Sequence, residues 1–459
     1  IRVEGDTYTY NVSDNIVTLL PAQSDPQKRD DSLYRIKSHK TDTPEYLFGE
    51  DNNSMIAILR NGKFVTDPIG TNVAIRFATP IIIKACGNAE GFFNMLTEDW
   101  CKFHAITFCG GNINALYTPG IAIEQPDVSE LLKYDGARTI KMRPWSAYTR
   151  TTQFQIENEK VTLTVSIGQT AETNNAENRG AYNLGKVYTF FRFSFENAQG
   201  FEKMEKYYII ARKIVAILTS QNNICFEEVY LSQRNSEQKY FKTGICKIFD
   251  SYENYSIRQW HKVIPIFSVF DYIPNLIDGI VNGKVNSLLE LLPEDNKMVN
   301  RISIKNVQDL CTALEVSYQL DDKRKREKDA LIEELKKNIK NTIAEFTKAH
   351  NEIDVNKETT MSSAFQYLDY TLKQKILTLY DENHNVADAI VSKWLLPQIN
   401  ETNIASFVKL RNGKTHSGTV ERGDNTKFYA PLLAIVYAGF FKYVGLPDKL
   451  ISFALLQIF

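Results

Sequence analysis

At 459 residues, 43% hydrophobic and 24% charged, the chain is longer than one ordinary compact core and globular in composition, which excludes a disordered chain and points to two domains. Lys+Arg 54 against Asp+Glu 55 leaves a formal net charge of -1, so no whole-molecule positive field draws in nucleic acid and any such binding has to come from local patches. The longest uncharged apolar run, Ala430–Phe441, is about 12 residues, well short of the roughly 20 that cross a bilayer, so a buried helix and no membrane partner are expected.

From Thr7 to about Asp250 the pattern is short, alternating segments rich in β-branched and aromatic residues. Strands are predicted at Thr7–Tyr10, Ile16–Leu20, Met55–Arg60, Val73–Phe77, His104–Phe108, Thr152–Ile156, Val161–Ile167, Val187–Phe195, Cys225–Leu231 and Tyr240–Ile248. Arg60-Asn61-Gly62-Lys63 and Glu157-Asn158-Glu159-Lys160 read as hairpin connections. One helix interrupts them, from Gly200 to Ser220, with Phe201, Met204, Tyr208, Ile209, Ala211, Ile214 and Leu218 on its apolar face. Segments 22–53 and 168–184 are polar and read as loops, with 174–180 a surface tip. The sum is a β-rich N-terminal domain over 1–255, an antiparallel sandwich or curved sheet with one packed helix. Glu237-Gln238-Lys239 has the E-x-K form of some metal-dependent nucleases, but so short a match reads as a solvated strand end. Trp100 and Trp145 read as core before they read as a ligand platform.

Residues 256–459 are helical in pattern. Short helices punctuated by Pro265, Pro274 and Pro293 lead to a helix over Ile304–Leu320, where Val307, Leu310, Cys311, Leu314 and Tyr318 share one face and Glu315 falls at its edge. The charge run Asp321–Lys328 precedes a long helix to about His350, with a seam of Leu331, Leu335, Ile339, Ile343 and Phe346 and an i,i+4 pair from Glu333 to Lys337. Further helices are predicted at Ser362–Tyr380, Asn385–Leu396, Ile404 to about Asn412, and Thr426–Val444, the last apolar nearly all round. This half is predicted to be an antiparallel bundle.

The six cysteines, Cys86, Cys101, Cys109, Cys225, Cys246 and Cys311, contain no CxxC pair, which favours a reducing, cytoplasmic setting. The six histidines show neither HExxH nor zinc-ligand spacing, so neither metal nor other cofactor is expected.

The stretch that carries chemistry is Arg411-Asn412-Gly413-Lys414-Thr415-His416. Arg411 follows Ile404, Phe407 and Val408 on the apolar stripe of its helix, so its guanidinium needs a partner, either a carboxylate, for which Glu315 is the candidate, or a bound phosphate. Gly413 is placed to stop the helix, so that the chain turns and lets Arg411 and His416 reach one point. An arginine fork suits a phosphate, and a histidine titrating near neutrality can move the proton when a ribose 2′-OH attacks the adjacent phosphorus. That route needs no metal. Lys323, Arg324, Lys325 and Arg326 form the densest nearby basic run, and Lys409 and Lys414 flank the motif, so these six are the candidate RNA contacts.

The R-N-x3-H form, set late in a helical bundle and preceded by the Ala313-Leu314-Glu315 helix, resembles the HEPN superfamily of ribonucleases, over about residues 300–445. Its combination with a large β-rich N-terminal domain resembles the ApeA-type HEPN proteins of bacterial anti-phage defence. The resemblance implies an RNA substrate cleaved to 2′,3′-cyclic phosphate ends, a homodimer with two Arg/His sets facing each other, and abortive infection. By position it implies Arg411 and His416 as catalytic, Asn412 as orienting them and Glu315 as the paired acid. It also leads us to expect a phage-derived trigger at the N-terminal domain. Two other readings compete: an inactive HEPN dimerisation or RNA-binding module, and a ligand-sensing β-sandwich whose helical half is an effector.

Overall fold

The computed structural model describes residues 1–3, 6–22, 25–28, 30–31, 46–51, 54–69, 72–86, 101–124, 142–172, 183–250, 257–294, 302–321, 330–350, 371–417 and 424–459. The expected loop tip at 174–180 and Trp100 lie outside them. The fold is mixed α+β. It contains two compact units, residues 1–215 with 223–260, and residues 216–222 with 261–459.

Among the described residues of the first unit fourteen strands pair antiparallel throughout: β1 (Arg2–Val3), β2 (Asp6–Ser13), β3 (Ile16–Pro21), β4 (Tyr46–Asp51), β5 (Ser54–Leu59), β6 (Asn61–Ile69), β7 (Asn72–Ala78), β8 (Ile81–Ala85), β9 (Phe103–Cys109), β10 (Arg150–Ile156), β11 (Glu159–Glu172), β12 (Asn183–Gln199), β13 (Glu228–Arg234) and β14 (Tyr240–Ile248). Their hydrogen-bonded order is β10-β11-β12-β9-β13-β14-β8-β5-β4-β1-β2-β3-β7-β6. The β10–β11 connection is the expected hairpin. Glu157 and Asn158 both take positive φ, 48° and 70°, the primed-turn conformation that matches strand twist.

Three local expectations fail. Arg60-Asn61-Gly62-Lys63 is not a hairpin, because β5 pairs with β4 and β8 whereas β6 pairs with β7. The chain passes from one pairing to the other at Arg60, which is 1% exposed with its guanidinium 4.4 Å from the Phe64 ring centre. Segment 22–53 is not all loop either, since 46–51 is β4: Leu47 is buried, and pairing with β5 satisfies the backbone of the polar Gly49-Glu50-Asp51 end. Likewise β11 runs on to Glu172 and β12 begins at Asn183, inside the expected loop 168–184. The Glu237-Gln238-Lys239 triplet sits at the tip of the β13–β14 hairpin, where Glu237 pairs with Lys239 at 2.8 Å in solvent.

The core of this unit follows strand alternation. On β12, Phe191, Phe193 and Phe195 point inward; Phe191 meets Phe193 edge-on, and Phe193 and Phe195 meet Tyr207 or Phe103 in tilted and edge-on contacts, each ring pair adding about 0.5–1.5 kcal/mol to its burial. Besides a single turn at Trp145–Tyr148, the helices here are α1 (Gly111–Leu116) and α2 (Met204–Thr219), the predicted helix, which brings Met204, Tyr207, Ala211 and Ile214 into that core.

The second unit holds α3 (Ile273–Val281), α4 (Asn286–Leu291), α5 (Ile304–Gln319), α6 (Ala330–Ala349), α7 (Leu372–Lys393), α8 (Glu401–Ser417), α9 (Tyr429–Tyr443) and α10 (Asp448–Ile458). Helix α9 is the buried centre, packed on α5, α7 and α10, with Leu432, Ile435, Tyr437, Phe440 and Phe441 all 2% exposed or less. The predicted helices Ser362–Tyr380 and Asn385–Leu396 are a single α7, kinked at Asn383, whose Nδ2 donates to the Leu379 carbonyl at 2.8 Å. Residues 362–370 lie outside the description.

In α6 the predicted seam does not face the core. Leu331, Leu335 and Phe346 are exposed, and Glu333 pairs with Lys336 at 3.2 Å and not with Lys337. Among the described residues one stretch, Trp260–Val281, is long and apolar enough by composition to cross a membrane, but it is divided into separate short turns and α3 and is 56% buried.

Candidate functional site

Three helices deliver the charged cluster. Helix α5 starts at a capping box: Ser303 Oγ accepts from the Asn306 backbone N–H at 3.2 Å, and the Ser303 N–H donates to Asn306 Oδ1 at 2.8 Å. With its register fixed, Val307, Leu310, Cys311 and Leu314 turn inward, and Glu315, one turn past Cys311, comes out at the edge. Helix α7 starts in the same way, with Thr371 and Gln374. It buries Leu372, Ile376 and Leu379 and leaves Lys375 at the margin, its side chain 19% exposed. Helix α8 buries Ile404 and Phe407 and carries Arg411 one turn beyond Phe407. Lys373 on α7 also pairs with Glu401 at the start of α8.

Glu315 serves two cations. Its Oε2 lies 3.7 Å from Arg411 Nη2 and its Oε1 lies 3.8 Å from Lys375 Nζ. Both separations exceed the 2.7–3.2 Å range of an N–H···O hydrogen bond, so the attraction is coulombic and not a locked bidentate fork. The side chains are partly exposed, 34% for Arg411 and 29% for Glu315, so solvent screens the pair and its worth to stability is about 0–1 kcal/mol. Its consequence is positional: the carboxylate holds the guanidinium at the junction of α5 and α8.

The Arg411–Glu315 pairing was legible in the sequence from the inward position of Arg411 and the edge position of Glu315. Lys375 was not. Its signal was its place between Leu372 and Leu379 on an apolar face, a position a lysine takes when its ammonium has somewhere to go.

The turn expected at Gly413 is not there. Helix α8 continues through Gly413 and His416 to Ser417. A glycine inside a helix costs only about 1 kcal/mol relative to alanine, which the helix absorbs. On this continuous helix the backbone positions of Arg411 and His416 are separated by about 140° around the axis and about 7.5 Å of rise, so the two positions do not share a face. The side chains of Asn412, Lys414 and His416 lie outside the described ones. Lys409 is exposed on α8. Lys323, Arg324, Lys325 and Arg326 fall in 322–329, outside the described residues.

No family model, curated protein or solved structure matches the chain. Among the described residues no three His, Cys, Asp or Glu side chains gather as metal ligands would.

Cys311 lies fully buried one turn below Glu315. Burial pushes its thiol up to about 12; Arg411 lowers it and Glu315 raises it again, both by smaller amounts. Since the folded value is above the ordinary thiol value of 9.0, the neutral thiol's stabilising contribution is fully present below about pH 8 and is lost as pH rises toward 12. Iodoacetamide at pH 8 is accordingly expected to leave Cys311 unmodified in the native protein and to alkylate it in denaturant. Peptide mass spectrometry reads the difference, and rapid native labelling would show that the region beneath the ion pair opens.

Proposed function

We propose that the helical unit is a HEPN-type, metal-independent endoribonuclease working in the cytoplasm in bacterial anti-phage defence by abortive infection. The β-rich unit is then a sandwich-like sensing domain that answers a phage-derived trigger. What supports the reading most is one contact: the arginine of the R-N-x3-H stretch sits against the carboxylate of the Ala313-Leu314-Glu315 helix.

In the proposed reaction the ribose 2′-oxygen forms a bond to phosphorus as the bond from phosphorus to the 5′-oxygen breaks, leaving a 2′,3′-cyclic phosphate and a 5′-hydroxyl. His416 takes the 2′-hydroxyl proton or supplies one to the departing 5′-oxygen. Arg411 offsets the charge that grows on the non-bridging oxygens, and Asn412 orients the pair. Because the positions of Arg411 and His416 do not share a face of α8, the reading requires a homodimer in which Arg411 of one copy and His416 of the other address the same phosphate. Lys409, Lys414 and the 323–326 run would contact the RNA backbone.

The test is an RNA digest in EDTA with product ends identified by mass spectrometry. Cyclic-phosphate ends, absent with His416→Ala, are the expected outcome. The same separation also fits a second reading, a HEPN module that dimerises or binds RNA without cutting it. Equal end products from wild type and His416→Ala would leave only that one standing.

A further inference from the structure

On β12 the residues between the inward phenylalanines, Arg192 and Ser194, turn to the opposite face of the sheet. Arg192 is flanked there by Thr164 on β11 and Thr107 on β9, and Ser194 by Thr162. A cavity of about 320 Å³ opens on this face, bounded by Arg192, Arg234, Thr162, Thr164, Ser194 and Tyr240, with Gln153, Lys160, Phe195 and Glu196 around them. That volume is at the lower end of small-molecule sites, so a compact ligand fits and a folded macromolecule does not enter.

Two guanidinium groups meet in this cavity. Arg192 donates from Nε to Thr107 Oγ1 at 3.1 Å and lies 5.2 Å from the Tyr240 ring centre. Arg234 lies 5.6 Å from the same ring centre, donates from Nη1 to Gln238 Oε1 at 3.1 Å, and reaches the backbone carbonyls of Phe195 and Glu196 from Nη2. These partners are a hydroxyl, an amide, carbonyls and an aromatic ring. All are neutral, so they fix the geometry of both cations without cancelling their charge. Among the described residues neither arginine pairs with a carboxylate, although Glu196 stands at the cavity wall. Exposed Lys160 adds a third cation.

Two like charges held around one ring repel unless an anion is shared between them. An arginine fork matches phosphate oxygens two at a time, and two forks match a dianion better than a single carboxylate. The neighbouring Thr162, Thr164, Ser194 and Gln153 side chains offer hydroxyl and amide groups, not an apolar wall, and so suit a hydroxyl-rich remainder. We propose that this face of the β-rich unit binds a small sugar-phosphate-class ligand, its phosphate shared by Arg192 and Arg234 and its hydroxyls facing Thr162 and Thr164.

Isothermal titration of the full-length protein with inorganic phosphate, glucose 6-phosphate, glucose and citrate tests this. Inorganic phosphate should bind, glucose 6-phosphate more tightly, and glucose and citrate not measurably. Arg192→Gln removes a side chain whose partners among the described residues are the Thr107 hydroxyl and the Phe190 and Tyr240 rings, so the fold should persist by circular dichroism while phosphate affinity falls at least tenfold. Arg192→Lys, which keeps the charge and loses the fork, should also weaken binding, whereas Lys84→Ala on β8 should leave it unchanged. No heat with inorganic phosphate, equal binding of citrate, or unaltered affinity in a folded Arg192→Gln protein would overturn the proposal.

Discussion

Arg411→Ala is expected to abolish RNA cleavage, with a loss of at least about a thousandfold, because the guanidinium is the group assigned to the charge that develops in the transition state. Arg411→Lys should recover little, since an ammonium keeps the charge but not the planar fork. Glu315→Ala should cost less, on the order of ten- to a hundredfold, because its carboxylate, 3.7 Å from Arg411, positions the arginine and would not touch the substrate. The continuous α8 makes a sharper test available. If each site takes Arg411 from one copy and His416 from its partner, Arg411→Ala and His416→Ala chains are both inactive alone, yet a mixed dimer has one intact site and one doubly damaged site. Random pairing of equal amounts makes half the dimers mixed, so co-expression should restore about a quarter of wild-type cleavage. A mixture as inactive as its components would show that the two residues act within one chain or not at all.

That test exists because one local inference failed while another held, and the two rest on different physics. The partner of Arg411 could be read from burial: a charge on an apolar stripe needs an opposite charge, and Glu315 was the acid at the margin of a neighbouring predicted helix. The end of α8 was read from glycine propensity, and a propensity of about 1 kcal/mol is a weak prior against the hydrogen-bonding continuity of a 17-residue helix. The same contrast runs through the β-rich unit. Strands with regular alternation, such as 161–167 and 187–195 within β11 and β12, announce themselves. Strand β4 ends in Gly49-Glu50-Asp51 and is specified by its pairing with β5, a nonlocal fact invisible in a window of sequence. Arg192 and Arg234 were overlooked for a like reason, since 42 residues apart they look like unrelated surface charges until β9 sets their strands side by side.

Phe407→Ala should destabilise the helical unit by about 3–5 kcal/mol, the range for deleting a fully buried aromatic ring. Phe407 is 0% exposed on α8, which packs against both α5 and α7, so neither neighbour can close the void without breaking its own contacts. Against a typical domain stability of about 5–15 kcal/mol this is a large fraction, and the thermal midpoint should fall by roughly 6–20 °C. Phe407→Leu fills most of the volume and should cost less than about 1.5 kcal/mol. The pair separates architecture from chemistry, because Phe407 lies one turn before Arg411 and bears on the site only through helix position. Cleavage by Phe407→Leu should stay near wild type, whereas Arg411→Ala should lose cleavage with a stability within about 1 kcal/mol of wild type, as befits a partly exposed ion pair. A wild-type midpoint for Phe407→Ala in circular dichroism would mean that α8 is not seated in the bundle, and the placement of Arg411 against Glu315 would fall with it.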